Sequence, residues 1–196
     1  MNWLAHLLLS EPTPEFRIGN LLPDLLSASE LRRTPAIFSS GIACHRAIDA
    51  FTDTHPIVRR SIGRLNRAHR RFGGIIVDMF YDHSLARNWR LYSECPFEDF
   101  VHDAYESFVA CAFELPEAAN SVLQRMSSED WLGSYGTVEG LRHALDRIGG
   151  RLRNPVRLGE CVPELEATQD ELHQDFAEFF PLLIAHIKAG QPWVLS

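Results

Sequence analysis

Lysine is almost absent from this sequence. Lys188 is the single one, so nearly all of the positive charge is arginine, the side chain suited to two-pronged contact with carboxylate and phosphate. The net charge of −7 argues against general nucleic-acid binding. No stretch approaches the roughly 18 consecutive apolar residues of a membrane span. Residues 1–10 are apolar, but they lack a basic start and contain His6, so they read as a first helix and not as a signal peptide. The four cysteines, Cys44, Cys95, Cys111 and Cys161, form no C-x-x-C pair. They read as reduced, mostly structural thiols of a cytoplasmic protein. Period-2 strands, internal repeats and low-complexity segments are missing as well. These absences leave an all-α chain, a single-domain helical bundle over residues 1–196, with 45% apolar residues to fill one core.

Two stretches of that bundle carry unusual polar rows. In Gly41-Ile-Ala-Cys-His-Arg-Ala-Ile-Asp-Ala-Phe-Thr-Asp-Thr-His55, His45 and Asp49 are four residues apart. On a helix they project from one face, about 40° apart around the axis. Asp53 extends the row. Ala43, Ala47, Ile48 and Phe51 make much of the remaining surface apolar. In Gly73-Gly-Ile-Ile-Val-Asp-Met-Phe-Tyr-Asp-His83 the arrangement recurs, with Asp78 and Asp82 one turn apart and His83 beside them. Carboxylates within so apolar a window need partners or a cation. A divalent ion between the two helices would satisfy both rows.

The remaining punctuation divides the chain into helices. Residues 2–9 form the first, with His6 on it. Gly19 and Pro23 place Asn20 and Asp24 on a short helix or the turn beside it. Residues 36–53 form the helix of His45. Asp53 or Thr54 caps the next, with Pro56 in its first turn, and that helix runs to about Phe72. It carries Arg59, Arg60, Arg64, Arg67, Arg70 and Arg71 in a segment without a single acid. Gly73-Gly74 breaks the chain before the helix of Asp78, which continues to about Leu91. Pro96 and Pro116 open two more helices. Residues 136–148 form another, closed by Gly149-Gly150. Residues 164–188 form a long final helix that Pro181 kinks or breaks.

Several motifs together resemble a known family. Met1-Asn-x-Leu-Ala-His6, Gly19-Asn-Leu-Leu-x-Asp24, Gly41-Ile-x-x-His-Arg-x-Ile-Asp-x-x-Thr-Asp53 and Asp78-x-x-x-Asp-His83 followed by Trp89 are similar to acyl carrier protein phosphodiesterase, also called acyl carrier protein hydrolase. The resemblance covers the whole chain and is most specific over residues 1–90. It implies hydrolysis of the phosphodiester that joins 4′-phosphopantetheine to a serine of holo acyl carrier protein. It also implies a divalent metal, Mn2+ first and Mg2+ second, and a divergent kinship with helical HD-domain phosphohydrolases. These motifs depart from the HD pattern in holding no His-Asp dipeptide, only the reversed Asp82-His83.

On this basis the expected metal ligands are Asp24, His45, Asp78 and Asp82, with His6 as a further ligand or a partner behind one. Asp49 orients the attacking water or acts as general base. His83 protonates the leaving oxygen or anchors Asp82. Asn20 holds a water or a phosphate oxygen. The arginine segment 59–71, together with Arg46, is the expected substrate-binding surface, because the implied substrate is an acidic protein. Plainer readings stand beside these. An i, i+4 His/Asp pair is common on helix surfaces, Asp78 and Asp82 could pair with Arg46 or Arg87, and Asp53 suits a helix cap. An arginine run is ordinarily a solvated face. Phe97, Phe100, Tyr105 and Phe108 suit the core or a groove for pantetheine. Two other functions stay open: hydrolysis of a nucleotide or other small phosphate ester, and non-catalytic binding of acyl carrier protein.

Overall fold

The computed structural model describes residues 1–190, and no strand occurs among them. The all-α expectation holds, and one apolar core runs from Met1 to Ile187. Its centre is the helix Gly73–Arg87 (α7 in the order below), buried from Ile76 to Leu85 apart from its Asp78 side. A helix apolar on nearly every side is stable only when other helices surround it.

Around that centre the chain lays short helices first. They are α1 (Trp3–Leu8), α2 (Pro14–Gly19), α3 (Leu22–Leu25) and α4 (Ala28–Leu31). Next come α5 (Ser39–Thr54), α6 (Pro56–Arg64) and α7 itself. The second half adds α8 (Phe97–Ala110), α9 (Glu117–Ser128), α10 (Trp131–Ser134), α11 (Val138–Gly150), α12 (Val162–Ala167) and α13 (Gln169–Ala189). α1 and α11 pack on α7, α2 lies across α5, and α13 runs along α5, α6 and α7.

Local chemistry explains where the elements start and stop. Pro14 opens α2, and the Thr13 hydroxyl accepts from the Phe16 N–H. Thr137 caps α11 at the Gly140 N–H, 2.9 Å away. That helix therefore begins two residues later than expected and runs through Gly149-Gly150. α13 passes straight through Pro181. Proline in a helix interior costs about 3 kcal/mol, and the complete burial of Phe179, Phe180 and Leu183 around it offsets that loss.

Other boundaries also differ from the sequence reading. The helix after His55 is capped by the His55 ring, which accepts from the Ile57 N–H, and not by Asp53 or Thr54, which belong to α5. It ends at Arg64, and Arg70–Phe72 is a separate 3-10 turn. Gly73-Gly74 opens α7 instead of breaking the chain: a Cβ at Gly73 would lie 2.6 Å from the Ile62 side chain, so glycine lets α7 start against α6. α7 stops at Arg87, and Trp89–Leu91 forms another 3-10 turn. The final helix is two helices, divided at Thr168. The short α10 carries no periodic signal and escaped the sequence reading.

The crossing of α2 and α5 matters most for the site. A Cβ on Gly41 would strike the Phe16 carbonyl oxygen and come within 2.7 Å of the Asn20 nitrogen. Gly41 lies one turn before His45, so the bare backbone there brings the end of α2 onto His45. Gly41→Ala is expected to destabilise the fold by about 1–3 kcal/mol through overpacking. Chemical denaturation would show this as a lower midpoint with an unchanged slope.

Candidate metal centre

Three side chains meet where α1, α2 and α5 converge: His6 from α1, and His45 and Asp49 from α5. Each offers a ligand atom, and the three atoms lie within 4.8 Å of one another. The two imidazoles stack with centroids 4.4 Å apart. His45 Nε2 is 3.0 Å from one Asp49 oxygen, and His6 Nε2 is 3.2 Å from the other. Asp24 of α3 stands next to them, 3.6 Å from His45 Nε2. Its second oxygen accepts from the Trp3 indole N–H at 2.9 Å.

Asn20, at the end of α2, sets both rings. Its side-chain amide donates to the His6 carbonyl at 2.8 Å and to Ser10 Oγ at 2.9 Å, which turns its Oδ1 toward His6 Nδ1, 2.9 Å away. Its backbone carbonyl accepts from His45 Nδ1 at 2.7 Å. Both Nδ1 atoms must therefore carry hydrogen, which leaves both Nε2 atoms as lone pairs when the rings are neutral. Those lone pairs face carboxylate oxygens. Acceptor against acceptor at about 3 Å is repulsive unless a proton or a cation lies between.

The titration behaviour follows from that geometry. Burial opposes the charged form of His45, but the bond to Asp49 and the charges of Asp24 and Asp49 outweigh it and raise its pKa. Burial likewise opposes ionisation of Asp49, and His45, His6 and the terminal amine of Met1 reverse it, holding the carboxyl far below the usual range. Asp78 is the opposite case. Burial dominates and raises its pKa, although the Met1 amine lies 3.1 Å away.

A cavity of about 380 Å3 opens beside the cluster, lined by Met1, Asn2, Trp3, Asp24, Asp49, Asp53, Ile75, Asp78, Ile148 and Arg151. Its size falls in the ~300–1,000 Å3 range of small-molecule sites. Asp53, expected as a cap, is one of its walls.

The expected site residues separate into two groups. His6, His45, Asp49, Asp24 and Asn20 come together, with Asp78 on the same cavity. Asp82 does not join them. Its carboxylate is fully buried and accepts the backbone N–H of Leu4 at 2.7 Å and of Ala5 at 3.2 Å, closing the open end of α1. His83 is turned away as well. Its Nδ1 bonds the Tyr135 carbonyl at 2.7 Å, its ring packs beside Phe80 and His173, and burial lowers its pKa. Consecutive helix positions differ by about 100°, so Asp82 and His83 leave α7 in different directions.

The arginine segment also divides. Asp175 of α13 is buried and accepts from Arg60 at 2.8 Å, from Arg64 at 2.7 and 3.0 Å, and from Ser61 at 2.8 Å. Arg60 also pairs with Glu178. Arg70 bonds the Gly63 and Leu65 carbonyls at 2.8 Å. These three arginines therefore serve the fold. All six arginines are exposed, but Arg59, Arg67 and Arg71 have no ion pair among the described residues, Arg71 lying over the Phe72 ring. Arg46 is exposed too, on a different cavity. The sequence reading missed Trp3 and Arg151. Trp3 lies in the first motif but lacks an ionisable group, and Arg151 follows a glycine pair with no helical partner to mark it.

A family model described as acyl carrier protein phosphodiesterase matches residues 1–183. An acyl carrier protein phosphodiesterase of Yersinia enterocolitica is 28% identical over 97% of this chain and all of its own length. One of Escherichia coli is 30% identical over 94% of this chain and 96% of its own. No solved structure matches.

Proposed function

This chain belongs to the acyl carrier protein phosphodiesterase family, and from that premise we propose that it hydrolyses the bond between 4′-phosphopantetheine and the serine of holo acyl carrier protein with the help of a divalent cation. The observation that carries the cation is the pair of imidazole lone pairs aimed at Asp49, each ring pinned by Asn20 from behind. Metal-ligating histidines are commonly held this way by a hydrogen bond at the other ring nitrogen. The donors fit: two imidazoles with Asp49, Asp24 beside them, and no thiolate. Nitrogen donors favour Mn2+ over Mg2+. Held there, the ion would neutralise charge on the phosphoryl oxygens and lower the pKa of a water.

The remaining groups take protein roles. Asp49, strongly acidic, suits a ligand better than a base. Asp78, less acidic than usual and on the same cavity, suits the proton acceptor for the attacking water. Asn20 positions the rings. His83 is too far committed to Tyr135 to protonate a leaving group, and we assign it a structural role. Any HD-type kinship rests here on the i, i+4 pair His45/Asp49, not on an adjacent dipeptide. Docking of the acidic carrier falls to the arginines left free on the surface, Arg59, Arg67 and Arg71.

The test incubates the protein with holo acyl carrier protein and Mn2+, and follows the intact mass of the carrier. Metal-dependent loss of the prosthetic group supports the reading. Binding without product would make the chain a carrier-binding module. Turnover of nucleotides but not of the carrier would make it a small-ester phosphohydrolase.

A further inference from the structure

The cavity has two walls of opposite charge. The acidic wall is described above. On the other, Arg151 lies with its guanidinium carbon 5.9 Å from the Trp3 ring centroid and 5.8 Å from that of Trp131. The two indoles are stacked, 5.9 Å apart and 10° from parallel. Arg147, one helical turn before, sits 3.7 Å over the Trp131 ring. Arg125 approaches the same ring at 5.5 Å. Only Arg125 has a carboxylate, Glu129 at 3.2 Å, whose other oxygen takes the Trp131 indole N–H.

Among the described residues, no acid pairs with Arg147 or Arg151. Three guanidinium groups gather here and repel one another, Glu129 offsetting only part of their charge, and partial burial lowers the pKa of both Arg147 and Arg151. Arg147 gains a side-chain hydrogen bond with Tyr135 from its position, but Arg151 only covers indoles and gains nothing from a second guanidinium beside it. An arriving anion would relieve the repulsion. Trp3 ties this wall to the other, because its indole N–H holds Asp24, which in turn stands beside His45.

We infer that Arg151, backed by Arg147, is the phosphate-binding arm of this cavity: its planar fork takes non-bridging oxygens of the phosphodiester while the acidic wall holds the cation. This rests on the hydrolytic reading for the identity of the substrate, but not for the binding of a phosphate group. Arginine in this role binds two oxygens at once, which lysine cannot do. Its positive charge also offsets the repulsion that Asp24, Asp49, Asp53 and Asp78 exert on the phosphate.

The Arg151 residue is exposed and its side chain makes no hydrogen bond or ion pair among the described residues, its backbone N–H alone bonding the Ile148 carbonyl, so Arg151→Gln should fold normally, and its melting temperature checks that. On holo acyl carrier protein, Arg151→Gln is expected to lower kcat/KM by about 10- to 100-fold, the scale of one hydrogen-bonded charge. Arg151→Lys should restore part of the loss, and Mn2+ affinity should stay as in the wild type. A second readout does not need turnover. Titration of the wild type with inorganic phosphate should change its tryptophan fluorescence, through Trp3 and Trp131, and Arg151→Gln should abolish that response. Failure of the wild type to cleave the carrier would count against the hydrolytic reading only, and the phosphate titration would still decide the arm. Unchanged kcat/KM together with an unchanged fluorescence response in Arg151→Gln would overturn it.

Discussion

Replacing Asp49 with asparagine is expected to reduce kcat/KM on holo acyl carrier protein by at least about 100-fold, since even partners behind a metal ligand are worth 10–100-fold. The substitution keeps the shape and removes the charge. It also puts an amide N–H2 in place of one carboxylate oxygen, which can donate to the lone pair of one ring, His6 or His45, now 3.2 and 3.0 Å from the two oxygens. One of the two acceptor-against-acceptor contacts would then be satisfied without any cation and the carboxylate charge would be gone, so Mn2+ affinity should fall in parallel. Free Mn2+ measured by its paramagnetic resonance during titration reports this directly. Full affinity and full turnover in Asp49→Asn would rule out the proposed centre.

The same centre sets a pH dependence. In the metal-free protein the pKa of His45 is raised, so its pairing with Asp49 stabilises the fold fully below the ordinary histidine value near 6.5. That contribution is lost as the pH rises through the raised folded value. Asp49 has the opposite sign. Its folded pKa is depressed, so its contribution is present above the ordinary aspartate value near 3.9 and is lost only as the pH falls through the depressed one. A cation competes with the proton on His45. Protection by Mn2+ against thermal unfolding should therefore grow with pH and be absent in Asp49→Asn.

Much of the geometry of this candidate centre was legible in the sequence, for physical reasons. His45 and Asp49 share a helix, and i, i+4 spacing fixes their common face whatever the helix packs against. The metal reading of Asp78 and Asp82 used the same rule, and it separates here. Spacing puts two acids on one side of a helix but does not say which element covers each of them. Asp82 meets the start of α1 and Asp78 meets the cavity, a distinction made by packing. Arg60 and Arg64 show the same limit. An acid-free run reads as a free surface, yet the compensating carboxylate, Asp175, arrives from more than a hundred residues away. Asn20 was singled out beside Asp24, but as a holder of water or phosphate. Its use of both the side chain and the backbone carbonyl to orient two imidazoles depends on the close crossing at Gly41, which only coordinates reveal.

Asp82→Ala should lower stability by about 2–4 kcal/mol, because it strands the N–H groups of Leu4 and Ala5 in a buried place, at roughly 1–3 kcal/mol each. In a chain of this size that corresponds to a drop of about 5–15 °C in melting temperature. An anionic side chain at the start of a helix also complements its dipole, but burial is the stronger influence here and pushes the Asp82 pKa up to about 7. Ionisation therefore subtracts stability progressively from the ordinary aspartate value near 3.9 up to about 7. Asp82→Asn keeps an acceptor oxygen and never ionises, so its stability relative to the wild type should improve between pH 4 and pH 7. A deficit that widens over that interval would mean the helix dipole outweighs burial. The asparagine variant also distinguishes a cap from a ligand. As a cap, residue 82 touches the metal only through the placement of α1 and His6, so Asp82→Asn should retain most Mn2+ affinity, whereas a ligand at this position would lose it together with Asp49→Asn.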